Sequence, residues 1–276
     1  MYKVLDKDTI EMEIVPYIPL PKRGFAPRVA LSEIVNAVLY KMKTGVQWEY
    51  LPVASLFSRD PLGWQGVYYH FMKWCLSGTF YECWTGILEK YRDRLDLSSV
   101  DLDGSHTPCK RGAEALEYQG RKRTKTTNAL YLTDRQGLPL AISEPVAGNH
   151  NDLYDIEVQF EAVTATLGQA DIATDGLFLN ADAGFDSKDF RAACSAKEIN
   201  ANICFNKRNG SADDRNEYFD QDLYHERYAV ERTNAWMDSF RSLLNRFDTT
   251  IASWKGFNYL SFIVLALRKF KMKKSK

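Results

Sequence analysis

The chain lacks long apolar runs. Its longest uninterrupted stretch, Phe262 to Leu267, is far short of the roughly 20 residues that a membrane-spanning helix needs. The first residues, Met1 to Glu13, alternate acids and bases around single apolar side chains, so no secretory signal is expected there. The five cysteines (Cys75, Cys83, Cys109, Cys194 and Cys204) form no CxxC pair, and the four histidines form no HxxxH. Without such spacings a structural zinc site is not indicated, and free thiols in a reducing cytoplasm are the expectation. Internal repeats are missing, and low complexity is confined to the lysine-rich last residues. Disorder along the whole chain is excluded by what is present, 45% hydrophobic and 13% aromatic residues, which bury too much apolar surface for that state. A length of 276 residues allows one large domain or two small ones.

Net charge is missing too, with 36 basic against 36 acidic residues. The zero sum hides segregation. From His106 to Thr127 there are six bases against two acids, and from Leu265 to Lys276 six bases against none, whereas Asn151 to Asp189 holds nine acids and one base. Separated blocks produce strong local fields of both signs. A basic surface for a polyanion beside acids that hold cations is one such arrangement.

The first 95 residues read as helical. Leu31, Ile34, Val35, Val38, Leu39 and Met42 follow a helical stripe, with Ser32 as the expected cap and Gly45 as the stop. Further helices are predicted from Trp64 to Leu76 and from Tyr81 to Arg94. After Asp96 the pattern changes to strands at Ser99–Asp103, Ala129–Thr133 and Leu138–Pro145, the last two joined by the turn Asp134-Arg135-Gln136-Gly137. A helix over Leu153–Leu167 capped by Asp152, a strand at Leu177–Ala181, a helix over Ser187–Lys197 and a strand at Ala201–Asn206 follow. Long helices over Leu223–Phe247 and Lys255–Lys271 close the chain. The reading is an α/β fold, a ribonuclease-H-like mixed sheet with flanking helices, preceded by a small all-helical domain. The boundary is placed at 96, with 1–96 helical and suited to binding DNA ends, a dimerisation or packing domain being the alternative, and 97–276 catalytic.

Three acids stand out. Asp182 follows an apolar strand and precedes a glycine turn, the strand end at which open α/β sheets place ligands; capping a helix is the alternative, shared with Asp186 and Ser187. Asp101 and Asp103 fall on one side of their strand, where aspartate is disfavoured without a reason; for Asp103 an Asp-Gly turn is the alternative. On the helix predicted around Glu231, at 100° per residue, Tyr224, Arg227, Glu231 and Asp238 share one face within about 60°, which a solvated surface would also produce. Carboxylates from two strand ends and a helix are what two Mg²⁺ ions require, with Mn²⁺ able to substitute, because hard cations take oxygen ligands and a pair of them stabilises attacking and leaving oxygens in phosphoryl transfer. Arg121, Lys122, Arg123 and Lys125 then follow the first acid as candidate phosphate contacts.

Together these stretches resemble a bacterial insertion-sequence DDE transposase of the group with a Tyr-x2-Arg-x3-Glu-x6-Lys signature around the third acid. Here the signature reads Tyr224, Arg227, Glu231 and, where the family has Lys, Asp238. Asp103-Gly104-Ser105-His106 resembles the first-acid motif, and Ala181-Asp182-Ala183-Gly184-Phe185-Asp186-Ser187 the second. Tyr118 to Asn128, Gly148-Asn149-His150-Asn151-Asp152, Gly45 to Pro52 and Gly63-Trp64-Gln65 also resemble the family, in the right order. The resemblance implies a catalytic and metal-binding triad of Asp103, Asp182 and Glu231, with Tyr224 and Arg227 positioning the DNA phosphate. It implies metal-dependent cleavage at the ends of an insertion sequence and strand transfer into target DNA. Double-stranded DNA, as terminal inverted repeats and target, is the expected partner of a cytoplasmic, nucleoid-associated homodimer acting on paired ends, with no membrane involved. Two alternatives stay open at this point: a ribonuclease-H-like nuclease that cuts without joining, and a regulator that binds DNA after losing catalysis.

Overall fold

The computed structural model describes residues 1–20, 27–210 and 219–272. Lys273, Lys274 and Lys276 of the C-terminal basic block lie outside the described residues. Two compact units form, one of Met1–Ile87, Lys110–Glu114 and Met237–Lys276, the other of Leu88–Cys109 and Ala115–Trp236. The helices after Met237 thus gather with the first helices, whereas the sequence boundary at 96 grouped them with the sheet.

The first unit is helical. It holds α1 (Lys7–Glu13), α2 (Leu31–Thr44), α3 (Val53–Leu56), α4 (Trp64–Leu76) and most of α5 (Thr79–Lys90). The stripe read from the sequence is the buried face of α2: Ile34, Val35, Val38, Leu39 and Met42 are all buried. Gly45 ends α2 with φ 69°, a left-handed turn that costs glycine least. Ser32 is not the cap; the helix begins after Ala30, and the Ser32 hydroxyl donates to Glu11 Oε1 at 3.0 Å. The predicted third helix stops at Lys90, and Arg92–Arg94 continues as a separate 3₁₀ turn. The chain's last helix spans Ile251–Met272 and packs on α4, with Phe257 stacked on Phe71 at 4.5 Å. Its Trp254, Phe257, Leu260, Phe262, Ile263 and Leu267 are buried. So many apolar side chains need cover from other helices, which is why this helix gathers with α2 and α4. Among the described residues, no helix is long and apolar enough to cross a membrane.

The second unit is built on a seven-stranded sheet: β1 (Val100–Pro108), β2 (Glu117–Gln119), β3 (Thr124–Asp134), β4 (Pro139–Ile142), β5 (Val146–Ala147), β6 (Phe178–Ala181) and β7 (Asn200–Ile203). β3 runs antiparallel to β1, β2, β4 and β5, whereas β6 runs parallel to β1, and β7 to β6. Read across β4-β3-β1-β6-β7, three antiparallel strands are followed by two parallel ones. That is the ribonuclease-H-like order, a mixed α/β fold. β1 and β3 are longer than the sequence predicted, reaching Pro108 and starting at Thr124. The extra pairing from Gly104↔Leu130 to Pro108↔Thr126 draws on Thr126 and Thr127, whose branched side chains favour extended backbone. α6 (Ile156–Gln169) lies against β3 and β4, and α7 (Lys188–Ala196) against β7. Asp152 does not cap α6; Asp155 holds that position with φ 47°, and Asp152 Oδ1 accepts from Asn128 Nδ2 at 2.9 Å.

The single helix predicted over 223–247 is three: α8 (Gln221–His225), α9 (Tyr228–Asp238) and α10 (Arg241–Leu244). α8 ends at Glu226, and Phe240 is extended, with φ −96° and ψ 105°. α9 seats on the β3–β4 turn. Thr233 Oγ1 donates to the Gly137 carbonyl at 2.5 Å, and a Cβ at Gly137 would stand 2.6 Å from the Ala229 carbonyl oxygen, so only glycine admits this approach. The last helix, from Ile251 to Met272, is α11.

Candidate active site

Pairing between β1 and β6 ends at Asp101↔Asn180. Two residues further along stand Asp103, still within β1, and Asp182, just past the end of β6. They also share a side. Asn180 Nδ2 donates to Asp101 Oδ1 at 2.9 Å, which puts Asp101 and Asn180 on one face, and alternation returns Asp103 and Asp182 to that face. Asp103 is not at the end of β1, as its sequence suggested, but at the point where the parallel half of the sheet stops and the β1–β3 arm goes on alone.

Glu231 lies in the first turn of α9, exposed. Its charge reaches the strand ends. Burial pushes the Asp103 carboxyl up to about 7; Arg227 opposes this, and Asp182, Asp152 and Glu231 add to it. The structure therefore brings Asp103, Asp182, Glu231 and Arg227 into one electrostatic neighbourhood. Among the described residues no three His, Cys, Asp or Glu side chains already converge on a metal position. The donor set still suits a hard divalent cation: carboxylate oxygens only, repelling one another in the absence of positive charge. Asp182 also fills its alternative role, because its Oδ1 accepts from Gly184 N at 2.7 Å and caps a 3₁₀ turn over Ala183–Phe185. Ser187 caps α7. Asp186 is buried and paired with Arg191 at 3.0 Å, a structural role.

Tyr224 sits on α8 and Arg227 in the break before α9, so the continuous stripe drawn from Tyr224 to Asp238 is interrupted. The two still meet: the Arg227 guanidinium stands 5.5 Å from the Tyr224 ring centre. Burial raises the Tyr224 hydroxyl, and Arg227 opposes the rise. Asp238, the position of the departed lysine, is exposed at the end of α9.

The basic block folds into a hairpin tip. β2 pairs with β3 up to Gln119↔Thr124, and Gly120 to Arg123 form the turn, with Arg123 at φ 51°. Arg121, Lys122, Arg123 and Lys125 are all exposed, and Lys122 Nζ donates to the His106 carbonyl at 3.0 Å. This cationic tip is thereby tied to the strand that carries Asp103.

One arrangement was missed by the sequence reading, which named Asp101 but not the partners that hold it. Asp101, Asn180 and Asn202 are all buried and form a ladder across β1, β6 and β7. Asn202 Nδ2 donates to Asn180 Oδ1 at 2.8 Å, and the Asp220 amide to Asn202 Oδ1 at 2.8 Å. Asn180 Nδ2 also reaches the Leu223 carbonyl at 3.3 Å. The ladder ties the start of α8 to the floor of the site. Burial lifts Asp101 to about 6, against the Asn180 bond and the Arg227 charge, and its Oδ2 has no partner. Two asparagines in equivalent places of two short apolar strands were the signal.

Residues 102–263 match the family profile of DDE superfamily endonucleases, and residues 12–84 that of transposases of the IS4/5 family. No curated protein matches the chain. Among solved structures, a pre-cleavage Mos1 transpososome is 11% identical with a TM-score of 0.29, covering 90% of this chain and 80% of that one. A Mos1 mariner paired-end complex with Mn is 10% identical with a TM-score of 0.30, covering 94% and 84%. Scores at that level assign neither fold nor partner.

Proposed function

The chain belongs to the DDE superfamily endonucleases and is a DNA transposase, and we propose that Asp103, Asp182 and Glu231 are the carboxylates that hold its catalytic divalent cations. Two Mg²⁺ ions, or Mn²⁺ in their place, would there supply a polarised scissile phosphate and an activated attacking oxygen. The reading rests on one observation above others: the charges of Asp182 and Glu231 both act on Asp103, which, like Asp182, stands two residues past the last β1–β6 pair.

The reaction has two steps. Water attacks a phosphodiester at the element's end, the P–O3′ bond breaks, and a 3′-hydroxyl is released. That hydroxyl then attacks a target phosphodiester, joining element to target as a target oxygen leaves. Arg227 suits the scissile phosphate because its planar fork matches two phosphate oxygens, and Tyr224 supports it from the side. The hairpin tip of Arg121, Lys122 and Arg123, with Lys125 beside it, holds flanking phosphates. Residues 1–96 supply recognition of the terminal inverted repeats, and two copies of the chain act on paired ends.

The inverted repeats flanking the coding sequence supply the substrate. Incubation of the chain with those ends and Mg²⁺ should yield 3′-hydroxyl termini and joined products. Cleavage without joined products would make the chain a nuclease only, and absence of both with Mg²⁺ and Mn²⁺ would make it a binding protein.

A further inference from the structure

The helical unit contains a cavity of about 390 Å³, within the range of ligand sites and lined in part by the Gly45–Pro52 and Gly63–Gln65 stretches, which take no part in the proposed chemistry. After the left-handed turn at Gly45, a 3₁₀ turn over Trp48–Tyr50 brings Trp48 back onto the helices, its ring 5.3 Å from Phe71 and 6.4 Å from Phe257. Trp64, the first residue of α4, and Phe247, 51% exposed, add two more rings to the lining.

The polar part of the lining is unusual. Lys41 is only 6% exposed, and its Nζ lies 5.5 Å from the ring centres of Trp48 and Phe257. It donates to Ser242 Oγ at 3.1 Å. Asp248 borders the same cavity and attracts Lys41, and burial raises its carboxyl. Yet the bond that Lys41 makes is to a serine, not to Asp248. A buried cation and a carboxylate that share a cavity without bonding each other leave donors and acceptors for a third partner. Gln47 adds an amide, which offers both.

Charge decides what that partner is. Lys41 and Arg111 are balanced by Glu49 and Asp248, so the cavity does not select a bare anion. Aromatic rings with donors and acceptors beside them suit a flat, uncharged heterocycle with polar edges. We propose that this cavity captures one unstacked nucleobase, its faces against Trp64 and Phe247 and its edge on Gln47, Lys41 and Asp248. Enzymes that handle single bases do so by this combination of stacking and edge hydrogen bonds. That the base belongs to a DNA strand rests on the transposase reading, with exposed Arg111 at the rim meeting the adjoining phosphate.

The test uses the full chain without divalent metal, so that cleavage plays no part. The probes are an eight-nucleotide thymidine strand with one central 2-aminopurine, and free 2-aminopurine nucleoside. Fluorescence of both should be quenched on binding. Trp64→Ala and Phe247→Ala alter partly exposed rings, and circular dichroism checks that each is folded. Each should weaken strand binding about five- to a hundredfold, the range for one stacked base, at every salt concentration. Arg111→Gln should instead lower the slope of log affinity against log salt by about 0.7. Strand affinity and quenching unchanged in both ring variants would overturn the proposal. Quenching of the free nucleoside but not of the strand would overturn the DNA source alone. Failure to cleave DNA ends in the separate metal-dependent assay would bear on the transposase reading and leave the nucleoside result standing.

Discussion

Asp101 and Asp103 are two residues apart on one face of β1 and differ in almost everything that matters for catalysis. Asp101 is fully buried, with one oxygen held by Asn180 and the other without a partner. Asp103 is half-buried beyond the last β1–β6 pair, where the charge of Asp182 acts on it. Asp103→Asn should therefore reduce metal-dependent strand cleavage to background, as should Asp182→Asn and Glu231→Gln, each with DNA binding retained. Asp101→Asn should keep cleavage within about tenfold of wild type, since the amide preserves a hydrogen-bonding group of the same shape. Inactive Asp101→Asn with active Asp103→Asn would move the first ligand back two residues. Protonation provides a second handle. Both carboxyls are raised by burial, to about 6 and about 7, against an ordinary value near 3.9. Between pH 4 and 7 the folded chain then binds more protons than the unfolded one, so metal-free stability falls as pH rises through that window and levels off above it. Metal binding displaces the Asp103 proton, so Mn²⁺ affinity measured by calorimetry should tighten from pH 6 to pH 8. Equal affinity at both would place the ion away from Asp103.

Among the elements, those with strong periodicity were legible and those fixed by tertiary contact were not. The α2 stripe, the strands β6 and β7 and the β3–β4 turn carry their pattern locally. The break between α8 and α9 does not, because it depends on α9 seating on Gly137, more than 90 residues away in sequence, and on the asparagine ladder holding α8. Nor did the stretch from Gly104 to Pro108 look like strand, since it is extended by pairing with Thr126 to Leu130 of β3. Asp103, Asp182 and Glu231 could be singled out as candidates because their sequence contexts pair a carboxylate with a strand pattern or a helical stripe; the ladder could not, because a buried asparagine is explained only by its partners. Asn180→Ala would leave Asn202 and Asp101 short of a partner and cost about 1–3 kcal/mol. Thermal denaturation should show that loss, and cleavage should fall further than the loss of folded protein explains. Asn180→Asp, which keeps the shape and the oxygen that accepts from Asn202 Nδ2, should restore part of the stability if it is protonated beside Asp101. At the hairpin tip, replacing Arg121, Lys122 and Arg123 by Gln should weaken binding to all DNA sequences. The slope of log affinity against log salt should flatten by about two to three units. An unchanged slope would remove the tip from the DNA path.

At the scale of the whole chain, a net charge of zero conceals a division of labour that composition alone would have missed. The acidic stretch from Asn151 to Asp189 contributes Asp182, and the basic block from His106 to Thr127 contributes the exposed hairpin tip. Asp103 lies on the strand to which Lys122 of that tip is hydrogen-bonded. The charges of Asp182, Asp152 and Glu231 act against ionisation of Asp103, a cost that a divalent cation held as proposed would remove. Any ligand that binds the folded chain and not the unfolded one stabilises it by RT ln(1 + [L]/Kd), about 2.7 kcal/mol at a hundred times Kd. Mg²⁺ or Mn²⁺ should accordingly raise the unfolding temperature of the wild-type chain in a concentration-dependent way, without any DNA present. The double variant Asp182→Asn with Glu231→Gln relieves the repulsion and removes ligands at once. It should start from an unfolding temperature at or above that of the metal-free wild type and respond little to either cation. Differential scanning calorimetry over a Mn²⁺ series distinguishes this from nonspecific effects of ionic strength, for which Na⁺ at matched ionic strength is the control. If the double variant gains as much from Mn²⁺ as the wild type does, the cation binds elsewhere and the triad is not its site.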